Sequence, residues 1–161
     1  MTVLRRLQPA LLPLAALAAT ITLAACSMGG SGASIPLAPG LSARMDQPGA
    51  SLDRVQALAM INAYRATNGL PALTADAGLD GTAQALADQY ARTGTPPSTP
   101  QNLAGMKLSA GYASFAETFS GWRNNPADAA GMTTSATTAG IAVSFNPSST
   151  YGTYWVLVLA Q

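Results

Sequence analysis

Apolar and polar positions divide this chain into three stretches of different character. Behind Arg5 and Arg6, residues 7–25 are apolar except for Gln8, Pro9, Pro13, Thr20 and Thr22. Residues 27–50 lose that continuity: Gly29, Gly30 and Gly32 precede Pro36, Pro39, Gly40, Pro48 and Gly49, with few apolar anchors. Such a segment buries too little surface to offset its ordering entropy, so a flexible tether is expected. Periodic apolar positions return near Ser51, and a single folded domain is expected over residues 51–161.

Within that domain, Ser51 suits an N-cap and Asp53 a first turn, where a carboxylate complements the helix dipole. Leu52, Val55, Leu58, Ala59 and Ile61 recur at helical spacing, and Gly69 supplies a stop. A turn through Pro71 leads to a second helix from about Asp76. Its apolar face is Leu79, Ala83, Leu86, Ala87 and Tyr90, and it ends by Gly94. Residues 95–100 hold three prolines and read as loop. Tyr112, Phe115, Phe119 and Trp122 form one aromatic stripe on a third helix that ends before Pro126. Core packing accounts for such a stripe better than a cofactor box does.

Residues 131–138 are small and polar, so irregular structure is expected there. Residues 141–145 alternate apolar and small, and residues 154–159 are almost continuously apolar. These two runs predict an antiparallel hairpin whose second strand lies inside the sheet under helices on both faces. Helices first and strands last give the α+β class.

The N-terminal run acquires meaning from its flanks. A short basic region, an apolar stretch ending at Leu23 and the small residues Ala24 and Ala25 make a secretory signal. Cys26 follows directly, an arrangement that resembles a bacterial lipobox. The resemblance implies a signal over residues 1–25, acyl chains such as palmitate on Cys26, and a tether over residues 26–50. It places the protein in the cell envelope, attached to membrane through that lipid. Ser27 then favours the outer membrane, facing the periplasm, in a two-membrane host. A transmembrane helix is the alternative, since about 20 apolar residues nearly suffice to span.

Composition narrows the chemistry. Arg5 and Arg6 would leave with a signal, so six basic residues would face seven acidic ones, a net of −1. Those charges are scattered, with no basic stripe of the kind nucleic acids require. Cys26 is the sole cysteine, so no disulfide within the chain is available; a domain of roughly 110 residues must rely on packing. The chain has no histidine at all. That removes the usual neutral-pH base, the commonest imidazole ligand, and every Ser-His or Cys-His pair. A Ser-Lys dyad of Ser109 with Lys107, the sole lysine, lacks any sign of a buried pocket.

An ordered set of motifs carries a family resemblance. Asn62-x-x-Arg65-x-x-x-Gly69-Leu70-Pro71-x-Leu73, then Leu79-x-x-x-Ala83, is similar to the opening of a CAP domain. This is the SCP-like superfamily of cysteine-rich secretory, antigen 5 and pathogenesis-related proteins, and the chain looks most like its bacterial lipoprotein branch. Gln101-Asn102-Leu103-Ala104 sits where that family has Gly-Glu-Asn-Ile. Trp122 through Asp128 sits where it has Trp-x-x-Ser-Pro-x-His, and Gly140 through Val143 with Tyr154-Trp155 resembles its closing hairpin. The resemblance implies a three-layer α-β-α sandwich with a small antiparallel sheet and about three main helices.

It also implies a groove that typical members line with two histidines and two glutamates, some of them binding a divalent metal. Here the remnant groove would consist of Gln101, Asn102, Glu117 and Asp128, a neutral amide and an aspartate standing where a glutamate and a histidine are usual. Oxygen ligands of this kind suit zinc poorly. No catalytic residue, metal ligand or cofactor is therefore expected. Asn62, Arg65, Gly69 and Trp122 read as structural. The leading reading is a degenerate domain that binds a small apolar ligand, an envelope polymer or a protein partner, with no nucleic acid. The alternative is an envelope hydrolase acting on polysaccharide or peptide, with Glu117 and Asp128 as a carboxylate pair across a cleft.

Overall fold

A computed structural model describes residues 37–161. The expected signal over residues 1–25 and the expected lipidation at Cys26 fall outside the described residues. The elements in chain order are α1 (Pro39–Ser42), α2 (Arg54–Thr67), β1 (Thr74–Ala75), α3 (Ala77–Thr93), β2 (Gly105–Ala110), α4 (Phe115–Asn124), α5 (Pro126–Met132), β3 (Thr138–Phe145) and β4 (Thr153–Ala160). Among the described residues no helix is long and apolar enough to cross a membrane.

The strands form one sheet in the order β1-β3-β4-β2. β4 is its backbone, antiparallel to β3 on one side and β2 on the other. Its residues alternate between two cores, as a period of two demands. Trp155, Leu157 and Leu159 join Ala57 and Ile61 of α2 and Phe115, Phe119 and Trp122 of α4. Val156 and Val158 join Ala83 and Ala87 of α3 on the opposite face. The α-β-α layering follows directly, with an α+β content as expected.

Three expectations need correction. The sheet is mixed, because the two-residue strand β1 pairs parallel to β3. The packed region begins before Ser51: Leu41 of α1 and Met45 are buried in the main core, and the Met45 N–H donates to the Ala113 carbonyl at 2.7 Å. Residues 39–50 are thus part of the domain rather than of the tether. The first helix is also turned from the expected face. Asp53, not Ser51, is its N-cap, accepting from the Gln56 N–H, while Val55 is 80% exposed and Ala59 is exposed. The buried positions are Ala57, Ile61 and Arg65.

Helix α3 matches its local signals, whereas α4 begins later than the aromatic stripe suggests and α1 and α5 form where no helix is expected. Asp76 caps α3 by accepting from the Leu79 N–H, and Gly94 ends it in the left-handed region at φ 67°. Ser114 and Glu117 form a capping box on α4, which places Tyr112 before the helix and outside the buried stripe. Gly140 is required for contact rather than for conformation. A Cβ there would fall 2.1 Å from the Leu79 carbonyl carbon and 2.3 Å from the Asp80 nitrogen, so its absence lets α3 lie directly on β3.

Candidate functional site

The residues of the expected groove are not gathered into one site. Gln101 and Asn102 lie in an exposed turn ahead of β2. Glu117 stands past the far end of β2, at the start of α4, where its Oε2 accepts from the N–H groups of Ala113 and Ser114, both at 3.0 Å. Asp128 is in the first turn of α5 and accepts from Lys107 Nζ at 3.0 Å. Lys107 is mostly shielded, its stem packed over Gly131. Each carboxylate therefore has a structural partner of its own, and the hydrolase alternative finds no support in this geometry. The lysine of the considered Ser-Lys dyad is likewise committed to Asp128.

A metal centre does not fit these residues either. Among the described residues no three Asp, Glu, His or Cys side chains gather as a cation would need. Gln101 offers only an exposed amide, and Asp128 Oδ1 already holds the Lys107 ammonium group.

The family-like polar residues do structural work at long range. Asn62 on α2 donates from Nδ2 to the Leu73 carbonyl at 2.9 Å and accepts from the Leu73 N–H at 2.8 Å. Arg65, one helical turn on, is fully buried without a carboxylate. Its guanidinium donates to the carbonyls of Pro71, Met132, Thr134 and Ala136 at 2.9–3.5 Å. Burial pulls its pKa below the ordinary value. The fixed fork of five N–H donors explains why arginine holds this position: one side chain satisfies carbonyls from two separate loops.

One main-chain group and several side chains also cover the edge of β3 beyond the short β1. The Asp76 N–H donates to the Ala139 carbonyl, and the Ile141 N–H donates to Asp80 Oδ1 at 2.9 Å. Arg54 Nε donates to the Ile141 carbonyl at 2.8 Å, and Gln84 Nε2 to the Val143 carbonyl at 3.2 Å. An edge strand with these polar groups occupied is a poorer template for another strand. On the other side, Trp122 Nε1 donates to the Leu108 carbonyl of β2 at 3.0 Å, which fixes the indole between helix and sheet.

Two larger surface grooves lie against α4 among the described residues, and periodicity in the sequence signals neither. One lies between α2 and α4, with a volume of about 370 Å³, lined by Met60, Ala63, Tyr64, Thr67, Phe119 and Arg123. It is mainly apolar. Tyr64 meets Phe119 edge-on there, ring centroids 5.9 Å apart. The other is open and more polar, about 620 Å³, over the outer side of α4 and the start of α5. Tyr112, Glu117, Ser120, Asn124, Asn125 and Pro126 line it, with Gly121 at its base. Only Glu117 of the expected groove residues belongs to either.

Comparison with known proteins agrees with this architecture. The model of the CAP, cysteine-rich secretory protein, family matches residues 58–159. A crystal structure of MpPR-1i, from a crystal soaked with selenourea for 10 min, has a TM-score of 0.50 at 22% identity, covering 63% of this chain and 85% of that one. A second MpPR-1i crystal structure has a TM-score of 0.48 at 22% identity, covering 65% and 82%. No curated protein sequence matches significantly. The order of motifs from Asn62 to Trp155, the sandwich they build and a family match over more than half the sequence agree: this chain belongs to the CAP, or cysteine-rich secretory protein, family.

Proposed function

We propose that this CAP protein is held in the bacterial cell envelope by lipid on Cys26 and acts as a binding module without catalysis. The observation that supports the non-catalytic reading is the commitment of both surviving acids, Glu117 to main-chain N–H groups and Asp128 to Lys107. A general acid or base must instead face the proton it transfers. The apolar groove between α2 and α4 suits a small apolar ligand, and Arg123 on its lining suits an anionic headgroup. A volume near 370 Å³ is in the ordinary range of about 300–1,000 Å³ for such sites.

Two measurements test the reading. Cys26→Ser should abolish lipid labelling and move the protein out of the membrane fraction; a variant that stays membrane-bound would refute the anchor. A fluorescent fatty-acid probe should bind the full chain saturably, and Ala63→Trp, which fills the groove from an exposed position, should weaken it by about tenfold or more. Equal binding by the variant removes this groove as the ligand site.

A further inference from the structure

We propose that the open groove over α4 and the start of α5 is a binding site for a neutral saccharide chain, with Tyr112 as its platform. This surface is separate from the apolar groove, so the two proposals fail independently. Tyr112 is 39% exposed, yet its main chain is held firmly. Its carbonyl accepts from Thr153 Oγ1 at 2.7 Å and from Trp155 Nε1 at 2.9 Å, both donors belonging to fully packed residues of β4. Its phenol end rests on Gly121, where a Cβ would fall 2.8–2.9 Å from the hydroxyl oxygen and adjacent ring carbons. A partly exposed ring on an anchored main chain, lying against Gly121, is partly preorganised for a ligand, because it has less rotamer freedom to lose on binding.

The polar groups around that ring specify the ligand class. Among the described residues nothing pairs with the Tyr112 hydroxyl, the Asn125 Nδ2 or the second Glu117 oxygen, and Ser120 and Asn124 share only one long contact of 3.5 Å. A flat apolar ring beside amides, a hydroxyl and a carboxylate matches a pyranose, which offers a C–H face and a rim of hydroxyls that both donate and accept. Glu117 is the sole charged residue lining the groove and disfavours an anionic polymer. The main chain of α4 is hydrogen-bonded within its helix, so an extended peptide finds no edge to pair with. A volume of about 620 Å³ with an open shape admits a segment of a longer chain passing through.

Calorimetric titration of the full chain in detergent with chitotetraose and with cellotetraose tests the proposal. Saturable binding of at least one tetrasaccharide is expected. Tyr112→Phe should keep it within about threefold, while Tyr112→Ala should weaken it by about tenfold or more. Tyr112→Ala leaves the anchoring carbonyl in place, so its thermal melt should stay near that of the parent. Gly121→Ala, which displaces the ring, should weaken binding as well. Absence of saturable binding at millimolar saccharide, undiminished binding by Tyr112→Ala, or saturable binding of a proline-rich peptide in place of both sugars would overturn the assignment.

Discussion

The side-chain amide of Asn62 forms a closed pair with the main chain of Leu73, donating to its carbonyl at 2.9 Å and accepting from its N–H at 2.8 Å. The segment of helix end, turn and loop between them, residues 63–72, is thereby held as if by a strand partner. Leu73 itself is buried, so removal of the amide strands two main-chain groups away from solvent. Asn62→Ala should cost about 2–3 kcal/mol, read from urea unfolding. Asn62→Asp keeps the acceptor and loses the donor, so its loss should be intermediate at neutral pH.

Gly140 sits where helix α3 touches strand β3 through main-chain atoms. Gly140→Ala must push the Leu79–Asp80 backbone aside, since no flexible side chain is there to yield. Destabilisation of about 3 kcal/mol or more is expected, at the upper end for overpacking. Gly81→Ala is the contrasting control: nothing lies within 4 Å of the added methyl, and in a helix interior alanine should stabilise by up to about 1 kcal/mol.

Replacement of the two acids separates structural from catalytic service. Glu117→Ala removes half of a capping box and should lower stability by about 1 kcal/mol. Asp128→Asn weakens a partly exposed ion pair and should cost about 1 kcal/mol or less. Purified protein that turned over an envelope polysaccharide or peptide, and lost that activity in both variants, would overturn the non-catalytic reading.

Alkaline pH provides a further check. Burial, then the neighbouring phenols of Tyr151 and Tyr154, holds the Tyr90 pKa above its ordinary value near 10. Above pH 10 the unfolded chain therefore releases this proton more readily than the folded one. The contribution of Tyr90 is complete below about pH 10 and is lost as pH rises toward the folded-state value. Tyr90→Phe should flatten the fall of stability across that alkaline range. An unchanged slope in the variant would show that Tyr90 does not carry the effect.

Much of the fold was legible because its signals are local. Asp76, Gly94, Gly69 and the halt before Pro126 mark helix ends within a turn of themselves, and the apolar run of β4 announced a strand covered on both faces. Strand β2 escaped notice because Gly105, Lys107 and Ser109 interrupt it and every residue is only half-buried, so no alternation appears. Helix α2 was assigned the wrong face because its third buried position is Arg65, a charge that apolar periodicity counts as surface.

The candidate site was less legible than the fold. Family-like spacing placed Gln101, Glu117 and Asp128 in one groove, but β2 separates the turn of the first from the helix of the second, and Lys107 takes up the third. Aromatic spacing makes Tyr112 the first member of a buried stripe, and the structure leaves it exposed. Its exposure follows from Ser114 capping the helix after it, and its rigidity from Thr153 and Trp155, about 40 residues away.

Sequence alone determined helix α3 with its Asp76 cap and Gly94 stop, the closing hairpin and the lack of any histidine, since each depends on residue identity or on neighbours within a few positions. Tertiary structure alone decided which carbonyls Arg65 gathers, which partners occupy the two acids and which rings face water. Those outcomes depend on where distant segments meet, and a hydrogen-bonding side chain carries no mark of its partner until the chain has folded around it.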